Sequence, residues 1–477
     1  MASKRSSARQ RLLQALYGVV QNQPWLKRLA VRLVMWFPHW GGQVMARVGT
    51  PVSRGGAVER RPVDAEASRR YRLGGYRMLL LPHVPLPAVP PARQLLVDLS
   101  GLVQRDARTG IQRVVRNLTR ALAETDLPGW RVEPIYVCQG EFRYARRFVT
   151  ADWHLPAVAE VDDVITARAG DVFFTADLAL LPIAQMEAPL RRLRQSGVGV
   201  HFVLHDLIPV THPEFYQGEV DPRFARWLDI VLQQADSVLC VSAAVADDLT
   251  RLVRREPPTR TDGGPRITWF HLGADLPAWQ RPAAPDPATR RALHLSDSGA
   301  ATRQFLMVGT LEPRKGHAQV LDAFEQLWAA GEDVALVLIG KVGWNVRALV
   351  ERLRHHAQVG RRLCWLDNAS DAVLHEAYAA SHALIAASYT EGFGLPLIEA
   401  AQHDLPVIAR DIPVFREVGG GQAFYFQAAD GAALARALQH WLRLDADGRA
   451  PGSAGMPFLT WSQSARQVVR AIVPDAE

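Results

Sequence analysis

The rhythm of apolar and polar positions divides the chain into two αβ regions. The first opens with QLLVDLS, whose apolar run predicts a strand over residues 94–99. A loop with Gly101 and Gly110 follows. Ile111, Val114, Val115, Leu118 and Leu122 then recur at helical spacing and predict a helix over 111–124. Further strands are expected at 132–138, 171–175, 198–204 and 237–241, and helices at 183–195, 222–235 and 242–253. Ser242 is a suitable cap for the last of these helices. ITWFHLGAD, residues 267–275, reads as the final strand of this region with its exit loop.

The second region starts at QFLMVGT, residues 304–310, followed by a helix over 317–329. VALVLIG, 334–340, is almost wholly apolar, as an interior parallel strand should be. Strands are predicted at 362–366, 382–386, 406–410 and, shorter, 423–427; helices fall at 345–358, 370–379, 397–403 and 430–443. A last helix starts near 461, with Trp461, Ala465, Val468, Val469 and Ile472 as its packing face. The alternation predicts the α/β class, each region a mostly parallel sheet with helices on both faces. The expected organisation is an N-terminal extension and linker (1–93), a first Rossmann-like domain (94–277) and an interdomain linker (278–302). A second Rossmann-like domain (303–458) and a closing helix that returns to the first (459–477) complete it.

Composition supports a multidomain globular protein. The chain has 477 residues, 48% hydrophobic and 22% charged, too long for one simple core. The net charge of +7 is uneven, because residues 1–40 contain no Asp or Glu. A basic protein can meet nucleic acid, anionic lipid or a phosphorylated substrate. Residues 7–20 and 25–38 can each form an amphipathic helix, the second with Leu26, Leu29, Leu33 and Trp36 beside Lys27, Arg28 and Arg32. Such a helix suits an anionic membrane face, but packing on the protein itself or a basic tail fits the same pattern. No apolar run approaches 18 residues, so no spanning helix is expected, and no clean signal peptide is present. Cys138, Cys240 and Cys364 lie in or beside apolar runs and are expected as buried free thiols in a reducing compartment. The expected location is cytoplasmic, with peripheral attachment to the inner membrane's cytoplasmic face left open.

The richest stretch is EGFGLPLIEAAQHDLPVIARDIPVFREV, residues 391–418. It sets Glu391 and Glu399 either side of Gly392, Gly394 and Pro396, at a loop-to-helix junction that can face a crevice at a sheet's carboxyl edge. Either Glu alone could simply favour the helix dipole. Arg314 and Lys315, followed by Gly316, precede the helix 317–329 and form an anion site, or else a solvated basic turn. Thr109 and Gly110 open the helix 111–124, where free backbone N–H groups can receive an anion. His205 and Asp206 leave the strand 198–204, placed to position a sugar hydroxyl or to serve as a packed His and a capping Asp. No Walker sequence, dinucleotide fingerprint or nucleophile elbow occurs. The basic residues do not interleave with stacking aromatics as in a nucleic-acid module. Arg314 and Lys315 can offset a diphosphate leaving group and Glu399 can accept from a ribose diol, a combination that fits transfer from a nucleotide sugar.

Residues 95–475 resemble the GT-B-fold retaining glycosyltransferases of family 4, also called group 1. The resemblance rests on VGTLEPRKG, EGFGLPLIEA, LPVIARDIPVFREV and the WSQSA helix. TGIQRVVRNL and HDLIP resemble the bacterial mannosyltransferase branch that builds O-antigen and related surface polysaccharides. It implies that Arg314 and Lys315 bind the donor diphosphate, Glu399 the ribose, and Glu391 the donor sugar. Backbone at Phe393, Gly394 and Leu395 would meet sugar hydroxyls or phosphate, Gly110 would lie near the diphosphate from the opposite domain, and His205 and Asp206 near sugar or acceptor. Many relatives carry Arg directly after the glycine where this chain has Thr310, which shifts weight onto Arg314 and Lys315. The implied reaction is front-face transfer from GDP-mannose to a lipid-linked or cell-surface oligosaccharide, with no tightly bound cofactor and no metal requirement. A UDP- or dTDP-sugar glucosyl-, galactosyl- or rhamnosyltransferase, or a non-catalytic GT-B scaffold, remains the alternative.

Overall fold

The computed structural model describes residues 92–106, 109–153, 162–180, 182–216, 218–260, 263–275, 293 and 302–473. The amphipathic stretches 7–20 and 25–38, and most of the expected linker 278–302, lie outside the described residues. Among the described residues no helix is long and apolar enough to cross a membrane.

The first half runs β1 (Arg93–Asp98), α1 (Ser100–Gln104), α2 (Gly110–Glu124), β2 (Trp130–Cys138), β3 (Glu141–Tyr144) and α3 (Arg146–Asp152). It continues through β4 (Val172–Thr175), α4 (Ile183–Gln195), β5 (Gly199–Leu204), α5 (Ile208–Thr211) and a 3-10 turn at Pro213–Tyr216. α6 (Pro222–Gln234), β6 (Ser237–Cys240), α7 (Ala243–Arg255) and β7 (Arg266–Trp269) complete it. The strands form one sheet in the order β3-β2-β1-β4-β5-β6-β7. Its pairings are parallel except β2 with β3. That hairpin turns at Gln139 and Gly140, both at positive φ (54° and 76°), as tight hairpin turns require.

The second half runs β8 (Arg303–Val308), a 3-10 turn at Pro313–Lys315, α8 (His317–Ala329), β9 (Val334–Ile339), α9 (Arg347–His355) and β10 (Leu363–Leu366). α10 (Asp371–Ala380), β11 (Ala383–Ala386), α11 (Leu395–Ala401), β12 (Val407–Arg410), α12 (Pro413–Gly419), β13 (Phe424–Phe426) and α13 (Gly431–Ala446) follow. α14 (Trp461–Ile472) ends the described chain. The sheet order is β10-β9-β8-β11-β12-β13, all parallel. Strand order therefore reverses between β8 and β11, and the loops leaving their carboxyl ends border a crevice.

Alternation along each strand divides the second core. Val334, Leu336 and Leu338 of β9 join one apolar cluster with α8 and α13. Ala335, Val337 and Ile339 face the other way, into a cluster continuous with the core of the first half. Two chain crossings join the halves. Gly273 bridges to Leu459, Ala274 N donates to Leu459 O at 3.0 Å, and Trp461 N donates to the Asp275 carboxylate. A Cβ on Gly273 would stand 2.5 Å from Trp461 Cα, so glycine permits this approach. α14 then packs on α2, burying Trp461, Ala465, Val468, Val469 and Ile472.

The final strand and exit loop read at 267–275 are present: the strand is Arg266–Trp269, and His271 to Asp275 form the crossing. One expectation is corrected. The three cysteines are free, but only Cys240 is buried; Cys138, at the end of β2, and Cys364, on the edge strand β10 where it packs against the core, are half-buried.

Candidate functional site

The loop after β8 turns through Glu312, Arg314 and Lys315. Gly316 closes it at φ 79°, and a Cβ there would stand 2.6 Å from Ala387 O. This glycine lets the basic turn lie directly against the loop that leaves β11. Tyr389 N donates to Arg314 O at 2.8 Å and ties the two loops together. Arg410, from β12, holds the second loop by donating to Ala387 O at 3.0 Å and lies over the Tyr389 ring at 4.1 Å.

The two loops create an ion cluster. Arg314 Nη1 reaches Glu391 Oε2 at 3.1 Å and Thr390 O at 3.2 Å, while its Nε lies 2.9 Å from Glu312 Oε2. Lys315 Nζ donates to Glu391 Oε1, which also accepts from Ser388 Oγ at 2.7 Å. Burial alone would raise the Glu391 pKa, but Lys315, Arg314 and the Ser388 hydroxyl outweigh it and hold the carboxyl near 2. Burial opposes the Arg314 charge too, yet Glu391, Glu312 and Asp206 raise its pKa further above the ordinary value. The carboxylate thus orients two basic side chains, and Arg314 stays charged.

The first domain reaches the same cluster from β5. His205 is buried and its Nε2 lies 2.7 Å from Ala176 O; burial lowers its pKa and keeps the ring neutral. Its carbonyl packs against Gly392. Asp206 Oδ1 accepts from Ile208 N at 3.1 Å, a local turn just ahead of α5 in which Leu207 holds the cap position, and its charge also acts on Arg314. Tyr216, raised to about 12 chiefly by burial, faces Arg314 and stacks on Trp344 at 5.2 Å. Trp344 Nε1 donates to Phe215 O at 3.1 Å, a second link between the halves.

Glu399 belongs to a different cluster. It sits on α11, whose entry is shaped by Gly394 at φ 95° with Pro396 in the first turn. Tyr378 Oη donates to Glu399 Oε2 at 2.7 Å, and Arg113 of α2 forms an ion pair with Oε1. Arg113, Asn117, Asp275, Asp371, Tyr378 and Glu399 share one crevice between the halves. Phe393 is buried and meets His271 edge-on at 5.4 Å, while Leu395 begins α11. Gly110 is exposed with open space where a Cβ would stand, so neither crowding nor a left-handed φ requires glycine there.

The structure therefore gathers Glu391, Arg314, Lys315, His205 and Asp206 around one cluster and places Glu399 in the other. Three contributors escaped the sequence reading. Arg113 sits on the polar face of α2, Tyr216 in a short turn, and Glu417 on α12. Glu417 accepts from Ala243 N at 2.8 Å, Ala244 N at 2.9 Å and His271 Nε2 at 2.8 Å, capping α7 from the other domain.

Residues 297–455 match the family described as glycosyl transferases group 1. They form a group 1 glycosyltransferase domain. The ion cluster and Glu399 all fall inside this group 1 domain, whereas Arg113, His205 and Asp206 come from outside it. The serotype-specific mannosyltransferase WbdA of Escherichia coli is 42% identical over 385 residues, covering 79% of this chain and 45% of the relative. The chain thus spans less than half the length of that relative. The O-antigen chain mannosyltransferase B of the same species is 25% identical over 271 residues, covering 56% of this chain and 68% of the relative. Anabaena HepE, solved in complex with UDP and glucose, superposes with a TM-score of 0.54 at 15% identity, covering 80% of this chain and 99% of that one. Sucrose-phosphate synthase from Thermosynechococcus elongatus gives 0.50 at 18% identity, covering 80% and 95%. Both superpositions place the group 1 domain within a two-domain GT-B architecture.

Proposed function

We propose that this chain is a retaining glycosyltransferase that moves mannose from GDP-mannose to a lipid-linked or cell-surface oligosaccharide during polysaccharide or O-antigen biosynthesis. The observation that carries this reading is the Arg314–Lys315–Glu391 cluster at the reversal point of the second sheet. Two oriented cations in a partly dehydrated crevice favour charge accumulating on a departing diphosphate. In the proposed reaction the bond from sugar C1 to the diphosphate oxygen breaks and a bond from C1 to the acceptor oxygen forms on the same face. The acceptor proton passes to the leaving diphosphate. Arg314 and Lys315 bind that diphosphate, with Phe393, Gly394 and Leu395 supplying backbone contacts. Glu391 orients the donor sugar, Glu399 holds the ribose, and His205 and Asp206 line the acceptor side. Gly110 is assigned to the diphosphate from across the crevice, through its backbone.

The choice of mannose rests on relatives named as mannosyltransferases, including WbdA and mannosyltransferase B. A panel of GDP-, UDP- and dTDP-sugars tests it. Turnover of GDP-mannose is expected; exclusive turnover of a UDP- or dTDP-sugar would sink the donor assignment. An acceptor held at an anionic bilayer would suit the basic residues 1–48. Loss of binding to anionic liposomes on their removal is the expected result, and unchanged binding would reject that arm as an anchor.

A further inference from the structure

The Glu399 carboxylate is already engaged at both oxygens, by Arg113 at Oε1 and by the Tyr378 hydroxyl at Oε2. On the reading above, the same carboxylate receives the ribose diol of the donor. A carboxylate can accept from several donors, so Tyr378 can stay while a ribose binds. The Arg113 guanidinium stands in direct contact with the other oxygen and competes for it.

We infer that Arg113 is a latch between the two domains, which the ribose of the incoming nucleotide displaces from Glu399. The inference rests on the assignment of Glu399 to the ribose. Three features of the structure support the latch itself. Arg113 comes from a rigid element: Thr109 and Gln112 form a reciprocal capping box, and Val114, Val115, Leu118 and Leu122 bury the opposite face of α2. The two partners differ in freedom, because the Arg113 side chain is 33% exposed and that of Glu399 only 12%. The arginine can therefore withdraw toward solvent while the glutamate stays in place. Asp371 and Asp275 line the same crevice and offer carboxylates to the displaced guanidinium. The latched state lowers the fraction of molecules able to bind, and apparent affinity falls by that fraction.

Titration calorimetry on the full chain tests this with GDP and UDP, using whichever binds more tightly, and with the 2′,3′-dideoxy form of that nucleotide. Arg113→Met keeps the aliphatic stem and removes the charge; Glu399→Gln removes the carboxylate; the double variant closes the cycle. Arg113→Met should bind the ribonucleotide about three- to tenfold more tightly than the parent chain. Its affinity for the dideoxy form should be unchanged, and Glu399→Gln should abolish the gain. Weaker or unchanged ribonucleotide binding by Arg113→Met would overturn the latch, as would an equal gain for both nucleotides. An Arg113→Met/Glu399→Gln double variant that binds the ribonucleotide as tightly as Arg113→Met would instead overturn the ribose assignment. Arg113→Lys, with one compact cation in place of the fork, should fall between the parent and Arg113→Met, and melting curves confirm that each variant is folded.

Discussion

Gly392 packs so closely on His205 that a Cβ built on it would stand 1.8 Å from the His205 carbonyl oxygen. The contact joins the loop after β11 to the end of β5, and Ser242 Oγ reinforces it by donating to Gly392 O at 2.7 Å. Glycine is required at this position by the approach of the two domains, not by its own dihedral angle.

Gly392→Ala should therefore force the junction apart. The expected cost is about 1–3 kcal/mol of stability, typical of overpacking, with at least a tenfold loss of donor turnover. Thermal melting and steady-state kinetics check this. Wild-type values in both would show that the two domains need not approach so closely.

The pH response of stability should carry the signature of Glu391. Its pKa lies near 2 in the folded chain against an ordinary 4.5, because Lys315 and Arg314 overcome the effect of burial. Its contribution is complete above 4.5 and is lost as pH falls from 4.5 toward 2. Denaturant titrations at stepped pH should show a shallower acid decline for Glu391→Gln than for the parent. Parallel declines would contradict the ion cluster.

Arg314→Lys should behave as a damaging substitution. A lysine cannot contact Glu312 through one nitrogen and Glu391 and Thr390 through another, as Arg314 does. The expected loss in kcat is about 100-fold, the scale of removing one preorganised electrostatic donor. Kinetics with saturating donor measure it, and a loss below threefold would reject the role proposed for Arg314.

Glu417→Ala should destabilise the chain by about 1–2 kcal/mol, since it removes the acceptor for Ala243 N, Ala244 N and His271. Ser242 still caps Val245 N, so α7 itself should persist. Chemical denaturation gives the loss, and near-unchanged far-UV circular dichroism the persistence.

Periodicity makes the scaffold legible and leaves part of the site hidden. VALVLIG is an interior strand because both of its faces are buried, and the stripe on α2 points where its spacing predicts. The β3 hairpin is less visible, since EFRY mixes charge and aromatics and its turn is Gln-Gly. Arg113 could not be found this way: amphipathic logic sends the polar face of a helix to water, and its partner lies in the other domain. Glu417 meets Ala243 across 174 residues of sequence, with no local pattern to announce it. The Arg314, Lys315 and Glu391 residue types were readable from motif chemistry, but their mutual pairing required the closeness of the β8 and β11 loops.

The most direct test of the whole account is a structure of the chain with GDP-mannose bound. The account predicts the diphosphate within hydrogen-bond distance of Arg314 and Lys315, the ribose diol on the Glu399 carboxylate, and mannose beside Glu391. A nucleotide bound elsewhere, or a ribose turned away from Glu399, would contradict it.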